Sequence, residues 1–148
     1  MKVREANLKD ISIIVDFQIA MAKETEGIEL NRSTVESGVE AVLNDPSKGK
    51  YYITEKKDLI IGSLLTTYEW SDWRNGTVLW IQSVFVLPEY RRKGVYRNMY
   101  SHLKNKVKKD GKLKGIRLYA DKSNRAAHKT YENLGMSQDH YVTFEWLK

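Results

Sequence analysis

The chain has no cysteine among its 148 residues. That excludes disulfides, thiolate metal sites and a cysteine nucleophile. Its three histidines, His102, His128 and His140, stand at no metal-ligand spacing, so no metal site is expected. No apolar run approaches the roughly 18–20 residues a membrane span needs, so no membrane partner is expected. The start, Met1-Lys2-Val3-Arg4-Glu5, is charged at once and lacks the apolar region of a signal peptide. A cytoplasmic protein is therefore expected. Low-complexity tracts, repeats and linkers are also missing.

What is present is an ordinary balance, 41% hydrophobic and 30% charged, which suits a folded chain rather than a disordered one. The length suits a single domain over residues 1–148. The formal charge of +6 favours anionic partners: nucleic acid, an acidic surface or a phosphorylated compound.

Elements alternate along the chain. Lys2–Ala6 reads as a strand, and Asn7 with Asp10 as a capping box before an apolar helix. A polar loop follows over Thr25–Asn31. Ser33 and Glu36 suggest a second capping box, and Asn44-Asp45-Pro46 ends that helix. Tyr51–Glu55 and Leu59–Glu69 read as a hairpin, Trp70–Gly76 as a loop and Thr77–Leu87 as a long strand. A helix is expected from Gly94 to about Lys109, a buried strand at Ile116–Ala120, a helix capped by Ser123 or Asn124 and closed by Gly135, and a last strand at His140–Leu147. The order β-α-α-β-β-β-α-β-α-β implies an α/β (α+β) fold.

One segment is the most informative. Val84-Phe85-Val86-Leu87-Pro88 is an apolar strand running into a Pro-led turn, followed by Arg91-Arg92-Lys93-Gly94-Val95-Tyr96-Arg97 at a helix start. Helix N-termini expose unpaired N–H groups with partial positive charge. Cations around them make a cradle suited to phosphate. It is no Walker loop, because no Gly-Lys-Ser/Thr follows.

These residues resemble the GNAT superfamily of N-acetyltransferases. The family signature Arg/Gln-x-x-Gly-x-Gly/Ala appears as Arg91-Arg92-Lys93-Gly94-Val95-Tyr96 after Val86-Leu87-Pro88. A second signature appears as Asn124-Arg125-Ala126-Ala127 leading to Tyr131-Glu132-Asn133-Leu134-Gly135-Met136. The tract Tyr68–Trp73, followed by Trp80–Val86, loosely resembles spermidine/spermine acetyltransferases. The resemblance implies a central bent mixed sheet flanked by helices, acetyl-CoA as co-substrate, an amine as acceptor, direct attack in a ternary complex, and frequent homodimers.

It also implies roles. The amides of Arg92 to Arg97, with Arg91 beside them, would hold the pyrophosphate. Val84, Phe85 and Val86 would offer backbone groups to the pantetheine, with Asn124 and Ala127 as further contacts. Tyr131 would protonate the leaving thiolate, a step open to a phenol because thiols have a pKa of about 8.5. From the residues alone, Tyr131 reads rather as a core tyrosine, and Asn124 equally as a helix cap. The amine must lose a proton, at about 4–5 kcal/mol for a lysine-like group at pH 7. The polyamine-type enzymes carry Glu where this chain has Gln82, which cannot be a base. Glu69 and Asp72 are the nearest candidate substitutes, and a water chain to bulk is another. Tyr96 stands where the family prefers Gly or Ala.

The acceptor would be met by Glu26, Trp70, Asp72, Trp73 and Gln82, since carboxylates with aromatic faces suit a cationic amine. An ordinary hairpin loop anchored by its Trp residues is the other reading. Two further functions compete: a non-catalytic acyl-CoA sensor of the same fold, and a basic nucleic-acid-binding domain, the less favoured because the Lys104–Lys114 cluster suits a solvated helix C-terminus.

Overall fold

The computed structural model describes all 148 residues and divides them into two compact units, Met1–Arg117 and Leu118–Lys148. The first holds β1 (Lys2–Glu5), α1 (Ile11–Glu26), α2 (Arg32–Asn44), β2 (Lys50–Lys56), β3 (Leu59–Ser71), β4 (Gly76–Val86), α3 (Val95–Lys109) and β5 (Leu113–Arg117). The second holds α4 (Arg125–Asn133). No helix is long and apolar enough to cross a membrane.

The strands form one mixed sheet in sequence order. The first three pairings are antiparallel and β4–β5 is parallel. A parallel pairing needs a crossover, and α3 supplies it. The β2–β3 hairpin turns on Lys57 and Asp58, both left-handed at φ 50° and 63°, the geometry that matches the twist of the flanking strands.

Both sheet faces are covered. Ile14 and Val15 of α1, Val39 of α2, and Tyr51 and Ile53 of β2 form a buried cluster with Leu65 packed against it. On the opposite face, α3 buries Val95, Met99 and Leu103. Gly62 allows that approach, because a Cβ there would sit 3.2 Å from Cγ1 of Val95 and 3.0 Å from the Phe85 carbonyl.

Local signals act as the sequence suggests at several ends. Asn7 and Asp10 close their capping box, with the Asn7 N–H donating to Asp10 Oδ2 at 2.8 Å. Asp10 is buried and holds Arg4 bidentately at 2.8 and 2.9 Å. Asn124 caps α4 through the Ala127 N–H at 3.1 Å, and Gly135, at φ 85°, closes it.

Four expectations change. The cap of α2 is Asn31, not Ser33: Asn31 is extended and its Oδ1 accepts the Thr34 N–H at 3.0 Å, which puts Ser33 inside the first turn. Helix α1 continues to Glu26, so the loop starts at Gly27, whose left-handed φ of 65° stops the helix. Strand β5 begins at Leu113 rather than Ile116, because a tight turn returning the Leu113 N–H to the Asp110 carbonyl at 3.0 Å sets the chain beside Thr77 early. His140–Leu147 forms no strand, since alternation supplies only side chains and a strand also needs a neighbour for its backbone.

Candidate active site

Strand β4 keeps β3 as a partner along its length but pairs with β5 only from Thr77 to Trp80, against Leu113 to Arg117. Beyond Trp80 the two strands part, and Ile81–Val86 has no strand on that side. Within this stretch the β3–β4 register shifts. Leu65 faces Gln82 and Ser63 faces Phe85, so Ser83 and Val84 together oppose Leu64. This is a β-bulge, with Ser83 left-handed at φ 52°, and bulges re-aim the chain next to sites. Phe85 turns its ring into the core against Phe17, at 4.8 Å between centroids. Val84 and Val86 stay half-buried.

The strand then enters the basic turn. Arg92 and Gly94 are both left-handed, at φ 59° and 82°. Alternating handedness makes a concave nest of N–H groups, which binds anions. A Cβ at Gly94 would meet open space, so the glycine answers to its backbone angle rather than to crowding. The α3 ladder begins with Asn98 N–H donating to the Gly94 carbonyl at 3.0 Å, and the preceding amides stand at the positive end of the helix dipole. Arg92, Lys93 and Arg97 are exposed. Val95 is buried and anchors the helix start. Tyr96 stacks on Tyr100 with centroids 6.3 Å apart, so its ring runs along α3. These features fit a pyrophosphate.

Arg91 is tied back into the fold. Its Nε donates to the Val86 carbonyl at 2.9 Å, and its guanidinium forks onto both oxygens of Glu24 on α1, one at 2.7 Å. It also lies over the Phe85 ring at 5.7 Å. The pairing holds the Glu24 carboxyl below its ordinary range and the Arg91 guanidinium above its own. Arg91 therefore staples the turn to α1.

A polar row lies on the α1–α2 face of the sheet, next to Leu65. Gln82 Nε2 donates to Thr67 Oγ1 at 2.5 Å. Trp80 Nε1 donates to Glu69 Oε1 at 3.1 Å, and Arg117 donates to Glu69 Oε2 at 2.5 Å. Both oxygens of Glu69 are thus engaged. The hairpin tip divides the other expected residues. Strand alternation puts Trp70 on the face opposite Glu69. Trp70 and Trp73 are 66% and 91% exposed, so neither anchors the loop. Asp72 accepts the Trp73 N–H at 2.9 Å. Glu26 is exposed at the end of α1.

In the second unit, Ala127, Tyr131 and Leu134 lie half-buried along one face of α4. Burial pushes the Tyr131 phenol above its ordinary pKa, so it keeps its proton at neutral pH. Asn124 uses Oδ1 in the cap, which leaves its amide N–H groups as donors.

Sequence reading missed the bulge at Ser83, the Arg117 partner of Glu69 and the Glu24 partner of Arg91. The first had no glycine to mark it. The others join residues 48 and 67 positions apart, and nothing local signals them.

The sequence profile described as the acetyltransferase (GNAT) family matches residues 17–136. Among solved structures, a possible acetyltransferase from Clostridium difficile 630 is 44% identical, with a TM-score of 0.92, covering 99% of this chain and 97% of its own. A predicted acetyltransferase with acetyl-CoA from Clostridium acetobutylicum is 23% identical, with a TM-score of 0.74, covering 97% and 95%. A ribosomal-protein-alanine N-acetyltransferase from Brucella melitensis biovar Abortus 2308 is 13% identical, with a TM-score of 0.80, covering 99% of both chains. The last two share the fold alone. None of the curated proteins matches the chain.

Proposed function

Because the chain belongs to the acetyltransferase (GNAT) family, whose acetyl donor is acetyl-CoA, we propose that it acetylates a primary amine by direct attack in a ternary complex. The acceptor is a polyamine, another small amine or a protein amine. The observation that carries this reading is the wedge between β4 and β5 that opens at Trp80 and leads into the nest at Arg92–Gly94. A wedge lined by backbone takes an extended arm, and a nest with exposed cations takes its pyrophosphate.

In this reading the guanidinium groups of Arg92 and Arg97, the Lys93 ammonium and the turn amides hold the phosphates. A backbone N–H near the bulge, at Val84 or Val86, polarises the acetyl carbonyl, where a donor stabilises the charge that develops on oxygen. The amine lone pair forms the new C–N bond as the C–S bond breaks. Tyr131 gives its proton to the departing thiolate, and Asn124 and Ala127 line the arm.

The amine must first be neutral. Gln82 has no basic atom, and Glu69 already accepts from Arg117 and Trp80. A proton arriving at Glu69 would have to displace one of these donors. We therefore assign Glu69 to orienting the acceptor face, with the amine proton passing to water. Glu26, Asp72 and Trp73 supply charge and an aromatic face for a cation at the rim.

The test is acetyl-CoA consumption against a panel of polyamines, amino acids, aminoglycosides and peptides with free amines. Turnover with the acetylated amine identified by mass is expected. Saturable acetyl-CoA binding with no consumption by any amine would overturn the transfer.

A further inference from the structure

The polar row on the α1–α2 face carries one carboxylate and one guanidinium. Glu69 engages both oxygens, one with the Trp80 indole at 3.1 Å and one with Arg117 at 2.5 Å. The rest of the row is neutral, with Gln82 Nε2 donating to Thr67 Oγ1 at 2.5 Å. These side chains are half-buried, so a small molecule can lie along them. A diamine there would find no carboxylate for its second ammonium and would face Arg117 instead. Like charges repel more strongly in a half-buried site than in water. A molecule with a carboxylate at that end would be attracted.

Arg117 suits that end. A guanidinium presents five N–H donors in a planar fork, enough to serve Glu69 and a second carboxylate along different edges. Its strand position also sets a distance. Arg117 pairs with Trp80, the last residue of β4 that β5 accompanies. Gln82 and Val84, at the bulge, lie two and four residues further on. At about 3.3 Å per strand residue that is roughly 7–13 Å. An α-amino acid is too short to span it. An amine and a carboxylate at the two ends of a lysine-length chain span it.

Given acetyl transfer at the β4 bulge, on which this rests, we propose that Arg117 selects the acceptor. The acceptor is a small ω-amino acid, with its amine at the bulge and its carboxylate on the Arg117 guanidinium. Glu69 holds that guanidinium in place along the row, and Gln82 and Thr67 flank the chain between the two ends.

The test compares ε-aminocaproate, glycine, hexylamine and cadaverine as acceptors from acetyl-CoA. The kcat/KM for ε-aminocaproate is expected to exceed that for hexylamine and cadaverine by about tenfold or more, as a charge-assisted pair supplies. It should exceed that for glycine as well. In Arg117→Met the ratio of ε-aminocaproate to hexylamine falls towards one. In Arg117→Lys it recovers in part, because an ammonium keeps the charge without the fork. A wild-type preference for hexylamine or cadaverine, or a ratio that Arg117→Met leaves intact, overturns the proposal. Should Arg117→Met fail to fold, the wild-type series decides alone. If no amine is consumed, acetyl transfer itself fails, and calorimetry with CoA present reads the acceptor site separately. Binding of ε-aminocaproate that Arg117→Met abolishes supports the assignment, and no binding to the wild type overturns it.

Discussion

The carboxylate of Glu69 accepts from Arg117 at 2.5 Å and from the Trp80 indole at 3.1 Å. Both its oxygens are thus in use. Glu69→Gln keeps one acceptor oxygen and loses the charge. If the residue orients the acceptor face, kcat falls by less than about tenfold and the pH–rate profile keeps its shape. General-base loss costs about 100- to 10,000-fold, and a drop of that size with a lost acidic limb would give Glu69 the base role.

Tyr131 is tested apart from binding. Its phenol is raised by burial and so stays protonated until a strong base forms beside it. Tyr131→Phe is expected to lower kcat by about 100-fold or more while the KM for acetyl-CoA stays within about twofold. Unchanged kcat removes the residue from the mechanism.

The Glu24–Arg91 staple predicts an effect on the donor. Arg91→Ala frees the turn from α1 and from the Val86 carbonyl. The KM for acetyl-CoA is expected to rise severalfold with kcat nearly unchanged. The ion pair is partly exposed, so its stability contribution stays at about 0–1 kcal/mol. A large loss of melting temperature without a KM change would mark it as structural.

Gly94 is a conformational test. Its φ of 82° costs an alanine about 1–2 kcal/mol, and the space around it is open. Gly94→Ala should flatten the nest, raise the acetyl-CoA KM and leave amine KM unchanged. Titration calorimetry with CoA measures the loss directly.

Asp10 gives the pH dependence of stability. Arg4 hydrogen bonds hold its carboxyl below the ordinary value of 3.8, against desolvation that raises it, with help from the Asn7 amide. A depressed folded pKa means the contribution is complete above the unfolded value and disappears as pH falls through the folded one. Thermal melts should therefore weaken below about pH 4. Asp10→Asn should cost about 1–2 kcal/mol at pH 7, because Arg4 loses a charge-assisted pair of hydrogen bonds but keeps Glu55 as its other carboxylate partner, and should flatten the acid limb. Parallel acid limbs in the two proteins would refute the assignment.

The sequence by itself determined what neighbours in the chain decide. The Asn7–Asp10 box, the Asn124 cap, the turn at Gly94 and the basic run at 91–97 are local, because a cap or a left-handed residue needs only the few residues around it. The two signatures were legible for the same reason. Tertiary structure decided whatever needs a partner brought from afar. Arg91 is one more cation of the basic turn until Glu24 arrives from α1 to pair with it, and Glu69 is an unpartnered carboxylate until Arg117 arrives from β5. Alternation predicted a strand at 140–147, but pairing is non-local, and the chain alone gives that segment no ladder. The wedge beyond Trp80 is likewise a property of two strands and not of either sequence, since backbone left unpaired in one strand is visible only once the other has turned away.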